Sequence, residues 1–258
     1  MKVIRADLGD FKEIEILALS DWHIGDRQSD GKRIQALLDY IQSKPNVFVI
    51  LNGDFMNCAI KNSISDVYSE TVSPMEALKQ CVKLFDPIKD RILCIDDGNH
   101  ERRAWREVGV DLTQLMATQL GLGDKYSNAS TLMFVRVGMR HEQGQHPRPV
   151  NYSIYVTHGS GGGRKEGGKL QRLVDLSAII DTDIYIHSHT HLPAIARTSY
   201  YRVSPTNCSV RQVDKLFVNT GSTLQYGGYG EIASFRPNST ETPIIILNGT
   251  HHKMQAVL

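Results

Sequence analysis

The chain reads EILALSDWH at residues 15–23 and VFVILNGD at residues 47–54, and these two stretches decide the fold. Each begins with a short apolar, β-branched run and ends at Asp or Gly, which predicts buried strands over 15–20 and 47–51. Between them, apolar side chains recur at helical spacing over residues 32–41. The order strand, helix, strand indicates an α/β fold.

Strands and helices continue to alternate outward from these stretches. A capping box at residues 73–76 opens a helix that runs to about Leu84, and Asp111 caps a helix that stops at Gly121. After a Gly-rich stretch, a further amphipathic helix is expected over residues 170–180. More strands are predicted at residues 91–95, 132–137, 152–156, 183–186, 194–203, 215–219, 243–247 and 253–257.

This order predicts a four-layer αββα sandwich with two mixed β-sheets and helices on the outer faces. We expect one domain over residues 1–258, in which the strand-rich segment 193–258 completes the sandwich. With 41% hydrophobic and 22% charged residues, the chain can bury a large core, which excludes intrinsic disorder. A polar loop, HEQGQHPRP at residues 141–149, separates two of the strands.

Charge and cysteine usage exclude several classes of function. The 29 Lys and Arg residues nearly balance the 28 Asp and Glu residues, so the chain has no overall basic field and any contact with nucleic acid must be local. The four cysteines are widely spaced without a C-x-x-C pair, which argues against a disulfide framework and a thiolate zinc site. The first twenty residues carry four acidic side chains and lack the apolar run of a signal peptide. We therefore expect a cytoplasmic protein without a membrane partner.

Asp, His and Asn side chains cluster directly after the apolar runs. They lie in five segments, D21-W-H23, G53-D54, G98-N-H-E101, H158 and H189-T-H191. Taken singly, each segment is commonly a turn, but together they contain five of the ten histidines. On extended chain, residues i and i+2 point to one face, so we expect each D-x-H or H-x-H pair to reach into one cavity. Imidazole, carboxylate and amide ligands suit borderline divalent metals.

In these segments the sequence resembles the calcineurin-like metallophosphoesterase family, whose signature is D-x-H, G-D, G-N-H-[DE], H and G-H-x-H. The resemblance runs over residues 21–191, and Ser188 stands where the family has a glycine. In its overall look the chain is similar to nuclease-like bacterial and phage members. The resemblance implies a fold with two β-sheets between helices and hydrolysis of a phosphoester by metal-bound hydroxide.

The resemblance also implies roles for individual residues. It implies two divalent metals, manganese first and iron, zinc, nickel or magnesium as alternatives, held by Asp21, His23 and His191, by Asn99, His158 and His189, and by a bridging Asp54. His100 would protonate the leaving oxygen or stabilise charge there. Glu101 would accept a hydrogen bond from the other nitrogen of His100.

The substrate is less well determined by the sequence. Arg103 and Trp105 follow the G-N-H-E motif and could hold a phosphate and stack on a base, or they could form a solvated helix face with Trp105 packed inward. Arg164 lies in the Gly-rich stretch His158–Gly168, which could be a mobile cover or a solvated linker. The stretch resembles a nucleotide-binding phosphate loop, but Leu170 replaces the required hydroxyl.

We predict a phosphodiesterase that acts on nucleotides or nucleic acid, with single-stranded DNA or RNA as partner. The alternatives are a phosphomonoesterase or protein phosphatase of the same fold, and a metal-binding interaction scaffold without catalysis. The sequence leaves the oligomeric state open.

Overall fold

The computed structural model describes residues 1–61, 63, 67–140, 146, 148–161 and 163–258. The strands are β1 Lys2–Leu8, β2 Glu13–Leu19, β3 Val47–Asn52, β4 Ile92–Asp96, β5 Tyr126–Ser127, β6 Ser130–Arg140, β7 Arg148–Thr157, β8 Ile184–His187, β9 Ala194–Ser204, β10 Ser209–Asn219, β11 Ile244–Asn248 and β12 Met254–Val257. The helices are α1 Gly31–Ser43, α2 Pro74–Phe85, α3 Arg102–Val108, α4 Leu112–Gln119, α5 Glu166–Asp175 and α6 Gly228–Ile232. In the described part of the chain, none of these helices has the length and apolar character needed to cross a membrane.

The strands form two mixed sheets. The first sheet has the order β1-β6-β7-β8-β10-β9, and the second has the order β12-β11-β2-β3-β4-β5. In the second sheet, β2, β3 and β4 run parallel, while β11 runs antiparallel to β2. In the first sheet, β7, β8 and β10 run parallel, while β6 runs antiparallel to β7. The predicted pair of mixed sheets is therefore confirmed.

Three apolar clusters hold the layers together. Alternate residues of β2 point to opposite sides, so Ile16 enters the cluster between the two sheets while Leu17 faces the helices. The cluster between the second sheet and its helices contains Leu38 of α1, Leu78 of α2 and Met116 of α4. On the outer face of the first sheet, α5 contributes Leu173 and packs on Tyr185 and Phe217. The layers follow the predicted order of helix, sheet, sheet and helix.

The predicted helix starts are confirmed at two places. The Ser73 hydroxyl accepts a hydrogen bond from the backbone N–H of Glu76 at the start of α2, and Asp111 accepts one from Gln114 at the start of α4. These contacts satisfy backbone donors that the helix itself leaves unpaired.

One predicted helix needs correction, and the strand β1 was not predicted. The helix expected at 170–180 begins earlier, at Glu166, and gives way to a 3-10 turn at Leu176–Ala178. The apolar periodicity of Leu170, Leu173 and Val174 stabilises the preceding turn despite its glycines, since a glycine costs a helix only about 1 kcal/mol. The strand β1 was not predicted, because only Ile4 of its residues is buried.

Two predicted loops are only partly described. Of the polar loop at 141–149, residues 141–145 and 147 lie outside the described residues, and Arg148 already belongs to β7. In the Gly-rich stretch, residue 162 lies outside them as well.

Candidate functional site

The predicted ligands lie in the loops that follow strands of both sheets. Asp21, Asp54 and Asn99 come after β2, β3 and β4 of the second sheet. His158 comes after β7, and His189 and His191 come after β8, both in the first sheet. Because these strands run parallel within each sheet, their carboxyl ends bring the five loops to one edge of the sandwich.

Most of these ligands have a left-handed backbone. The φ angles are 55° at Asp21, 48° at His23, 56° at Asp54, 67° at His189 and 53° at His191. Residues other than glycine rarely adopt this conformation, which costs about 1–3 kcal/mol each and is concentrated at functional sites. The expectation that each pair projects from extended chain is therefore wrong. The turns are tighter, and the left-handed backbone aims both members of a pair inward.

The first cluster contains Asp21, His23 and His191. Asp21 Oδ1 lies 3.1 Å from His191 Nε2 and 3.9 Å from His23 Nε2, and the two imidazole nitrogens are 3.3 Å apart. The other carboxylate oxygen, Asp21 Oδ2, accepts hydrogen bonds from the Ser20 hydroxyl and the backbone N–H of His189. These contacts leave Oδ1 facing the two histidines.

The second cluster contains Asp54, His158, His189 and Asn99. Ligand atoms of the first three lie within 4.8 Å of one another. The Nε2 atom of His158 is 3.1 Å from Asp54 Oδ2 and 3.1 Å from Asn99 Oδ1. A further group of His23, Asp54 and His100 shares members with both clusters, so the two clusters adjoin at Asp54.

The donor set fits divalent cations. Asp21 Oδ1 is buried and accepts no hydrogen bond from the described residues, which is costly for a carboxylate unless a cation pairs with it. His158 Nδ1 donates to the backbone carbonyl of Asn52, so Nε2 is the nitrogen that faces the site. Oxygen and imidazole nitrogen from carboxylate, amide and histidine are suitable ligands for such metals.

Buried carboxylates set the charge of the clusters. Burial opposes the ionisation of Asp54, but neighbouring His158 holds the pKa of that carboxyl well below its usual range. Burial also opposes protonation of His158, and Asp54 overcomes it and raises the pKa of the imidazole to about 10. In the first cluster, His191 likewise outweighs burial and lowers the pKa of Asp21 to about 2. Because metal ligands are deprotonated, a cation at Asp54 and His158 would displace the imidazole proton.

His100 lies beside both clusters, next to His23 of the first and Asp54 of the second. Its Nε2 is 4.0 Å from Asp54 Oδ2 and accepts a hydrogen bond from Arg103 Nη2 at 3.0 Å. Its Nδ1 donates to the backbone carbonyl of Asn57 at 2.8 Å. Burial lowers the pKa of His100, so the neutral imidazole is favoured.

The expected hydrogen bond between Glu101 and His100 is not formed, and this prediction is wrong. Glu101 is buried and accepts hydrogen bonds from the backbone N–H groups of Asp54, at 3.1 Å, and Met56, at 2.9 Å. The two backbone N–H groups are buried and need an acceptor, whereas His100 already donates its Nδ1 hydrogen bond to the Asn57 carbonyl. Glu101 therefore positions the turn that carries Asp54.

The three residues predicted to bind substrate lie in different surroundings. Arg103 touches His100 and also donates to the Asn57 carbonyl at 3.0 Å. Trp105 is 58% exposed, so the alternative in which it packs inward is wrong. Arg164 donates to the backbone carbonyl of Ala233, and its guanidinium lies over the ring of Phe235.

A network that the sequence did not predict supports the turn at 188–192. Asn219 Nδ2 donates to Thr190 Oγ1 at 2.7 Å and to the Leu192 carbonyl at 2.5 Å. Asn219 Oδ1 accepts from His187 Nδ1 at 2.9 Å. The sequence did contain a signal for Asn219, because this polar residue stands at the end of the strand β10, just as the predicted ligands stand directly after their own strands.

A polar cavity of about 340 Å³ adjoins the second cluster. It is lined by Asp97, Asn99, Arg102, Ala129, Ser130, Tyr155, Thr157, His158, Gly159 and Ser160. The Arg102 guanidinium is held by Asp97 at 3.0 Å, and Asp97 also accepts from Thr113. Arg102 therefore forms a fixed wall of this cavity.

Comparison with known proteins gives a family and a set of similar folds. Residues 14–193 match the family model of the calcineurin-like phosphoesterases. A predicted phosphoesterase from Streptococcus pneumoniae is 15% identical, with a TM-score of 0.38 over 95% of this chain and 89% of that one. The zinc complex of Vps29 from Entamoeba histolytica is 13% identical, with a TM-score of 0.40 over 95% and 98% of the two chains.

A calcineurin-like phosphoesterase from Bacillus subtilis is 12% identical, with a TM-score of 0.40 over 95% of this chain and 90% of that one. None of the curated proteins compared matches this chain. The family match over residues 14–193 covers well over half of the chain and includes both clusters. The chain therefore belongs to the calcineurin-like phosphoesterase family and is a metal-dependent hydrolase of phosphoric ester bonds.

Proposed function

We propose that the protein hydrolyses phosphodiesters with two divalent cations, manganese among them. The observation that carries the proposal is the pair of adjoining clusters, which a third group connects because it takes His23 from the first cluster and Asp54 from the second. Asp21, His23 and His191 would hold one cation, and Asn99, His158 and His189 the other, with Asp54 between them. When bound, two such cations offset the charge of a phosphoester and lower the pKa of a water molecule.

The protein's own groups supply orientation and proton transfer. The Asn52 carbonyl fixes the ring of His158, and Glu101 fixes the turn of Asp54, so the ligands are held before substrate arrives. His100 Nε2 lies 4.0 Å from Asp54 Oδ2, beside the predicted metal ligands. We propose that His100 takes up a proton from solvent at Nε2 and passes it to the leaving oxygen, while Arg103 binds a non-bridging oxygen of the phosphoester.

We propose a nucleotide or nucleic acid as the substrate. Arg102 forms a wall of the polar cavity, Arg103 contacts His100, and the exposed Trp105 lies on the same short helix. Cations together with an exposed aromatic ring suit a phosphate chain with bases. An interaction scaffold without catalysis is not a candidate, because the chain belongs to a family of phosphoester hydrolases and has the full set of predicted ligands.

The test is a panel of substrates under manganese at low salt. Bis-nitrophenyl phosphate, nitrophenyl phosphate, a labelled oligonucleotide and a phosphopeptide are compared in chelated and metal-restored protein. We expect manganese to restore activity and the two diesters to be the better substrates. Arg103→Ala and Trp105→Ala should slow cleavage of the oligonucleotide.

A much faster turnover of the monoester or phosphopeptide, with unchanged oligonucleotide cleavage in both variants, would overturn the nucleic-acid substrate. It would leave the family assignment intact. Full activity in chelated protein would overturn the metal-dependent mechanism itself.

A further inference from the structure

A second cavity, which we call the basic cavity, lies at the start of α5. Its volume is about 290 Å³. It is lined by Gly163, Arg164, Lys165, Gly168, Lys169 and Arg172. Four of these six residues are cationic and none is acidic, so the cavity concentrates positive charge in a chain whose net charge is only +1.

Three of the cations are fixed in place by neutral partners. Arg164 donates to the Ala233 carbonyl at 3.0 Å, Lys169 to the Thr190 carbonyl at 2.8 Å, and Arg172 to the Ser160 carbonyl at 3.1 Å. A carbonyl holds a side chain in one position but does not neutralise its charge.

Acidic residues of α5 are engaged with other partners. Glu166 accepts from Arg236 at 3.1 Å, and Asp175 accepts from Gln171 at 2.6 Å. Glu166 also interacts electrostatically with Lys169 and therefore offsets part of the charge of that one cation.

The backbone makes room for this arrangement. Gly161 has a φ of 93°, and a Cβ atom there would lie 2.0 Å from Nη1 of Arg172. Any side chain at this position would displace the guanidinium. Like charges around one small cavity repel each other, and this cost is offset when an anion binds between them.

The basic cavity is joined to both metal-ligand loops of the first sheet. Lys169 binds the carbonyl of Thr190, the residue between His189 and His191. Arg172 binds the carbonyl of Ser160, two residues after His158. The basic cavity therefore lies beside the two loops of the first sheet that carry predicted metal ligands.

We propose that the basic cavity binds a second, non-scissile phosphate of the substrate. The preferred substrate would then be a phosphodiester that carries a further phosphate on the same nucleotide or its neighbour, as an oligonucleotide does. This inference rests on the proposed function, because it assumes that a phosphodiester occupies the clusters.

The test compares two substrates that differ by one phosphate. These are the nitrophenyl ester of thymidine 5′-phosphate and the same ester with an added 3′-phosphate, each assayed with manganese at low salt. We expect the added phosphate to raise kcat/KM of the unaltered enzyme about tenfold, the effect of one charged hydrogen-bonded contact. The gain should shrink as salt is added.

Two variants locate the effect. Arg164→Gln combined with Lys165→Gln should remove most of the gain, and Arg172→Gln should reduce it independently. Arg211→Gln, which removes an exposed cation of β10, is the matched control and should keep the full gain. Equal kcat/KM for the two esters in the unaltered enzyme, or a full gain in the double variant, would overturn the proposal.

Inorganic phosphate distinguishes a substrate phosphate from a free one as the occupant of the basic cavity. If inorganic phosphate changes hydrolysis of the simpler ester only when the basic cavity is intact, and the 3′-phosphate gives no gain, the cavity binds free phosphate and the proposal is wrong.

Calorimetry of the metal-loaded protein tests the basic cavity without turnover. If neither ester is hydrolysed, the proposed function fails, and binding then decides the inference. Thymidine 3′,5′-bisphosphate should bind about tenfold more tightly than the 5′-monophosphate, and the double variant should lose this difference. Equal affinities would reject the basic cavity as a phosphate site.

Discussion

Asp54 is the residue on which the arrangement of the two clusters depends. Its carboxylate contacts His158, lies near His100, and accepts a hydrogen bond from the His100 backbone N–H at 2.8 Å. Its own backbone N–H is held by Glu101. Because ligand atoms of Asp54 and of His23 in the first cluster also lie within 4.8 Å of each other, a change at Asp54 faces both clusters.

We predict that Asp54→Asn lowers turnover by about 10³-fold or more, since the amide loses one ligand oxygen and the charge that two cations share. Bound manganese per chain should fall in the same variant, while its circular dichroism stays unchanged. Asp10→Asn, at an exposed aspartate, is the control and should behave like the unaltered protein. Retained turnover with two bound metals would show that Asp54 does not join the clusters.

His100 should act on the leaving group rather than on metal binding. His100→Asn is expected to slow esters of poorly acidic alcohols by about 10²–10⁴-fold, the usual contribution of a general acid. Nitrophenyl esters need no such proton and should lose much less. Equal losses on both ester types would argue against proton donation, and a lost metal would make His100 a ligand.

At the scale of elements, the pattern of apolar residues predicted the helices and strands that are stabilised by packing of buried side chains. The segments that became β2 and β3 are continuous apolar runs buried on both faces, and α1 has one buried face that repeats at the helix period. The caps at Ser73 and Asp111 were predictable because their hydroxyl and carboxylate precede a helical run. The strand β1 could not be predicted from its own residues. It is held by backbone pairing with β6, which lies far along the chain, and Ile4 is its one buried side chain.

The side chains that meet at the site were predictable, but their orientation was not. Polar residues directly after apolar runs indicated which loops carry the site, because parallel strands end at a common edge of the sheet. The left-handed turns at Asp21 and His189 and the partner of Glu101 depend on neighbours far away in the chain. The role of Asn219, 28 to 30 residues from the histidines it supports, depends on the pairing of β10 with β8.

The turn between β8 and β9 gives a prediction at this scale. Asn219→Ala removes the hydrogen bonds to Thr190 and Leu192, so His189 and His191 should be held less firmly. We expect metal affinity to fall about 10–100-fold, as for other groups that orient ligands, with little change in fold. Competition with a chromogenic chelator measures it. Asn151→Ala, at an exposed position of β7, is the control, and an equal affinity in both variants would contradict the role of Asn219.

At the scale of the whole molecule, Asp96 connects the two sheets. It ends β4 of the second sheet, and its carboxylate accepts a hydrogen bond from the Thr131 hydroxyl of β6 in the first sheet. Burial raises the pKa of this carboxyl to about 7. The folded protein therefore favours neutral Asp96, while the unfolded chain ionises it near pH 4.

A raised carboxyl pKa makes the folded state less stable as pH rises from about 4 to 7, because the unfolded chain loses its proton first. Asp96→Asn removes this loss, so the stability of the variant relative to the unaltered protein should increase by about 2.5 kcal/mol from pH 5 to pH 8. Urea unfolding of chelated protein at several pH values measures it.

The control for this titration is Asp214→Asn. A hydrogen bond from Ser199 lowers the pKa of the exposed Asp214, so its titration is complete below pH 5 and its relative stability should stay level. A level difference for Asp96→Asn as well would show that Asp96 is ionised in the folded protein.

The left-handed turns at the clusters have a consequence for how such a chain can change over generations. Five residues there occupy a conformation in which glycine or asparagine would cost less, and two of them bury a carboxylate. Folding and chemistry thus make opposite demands at the same positions. In a lineage released from selection for hydrolysis, substitutions at 21, 23, 54, 189 and 191 would tend to raise stability. Substitutions at these five positions would therefore accumulate before substitutions in the rest of the sandwich, and they would mark the loss of activity.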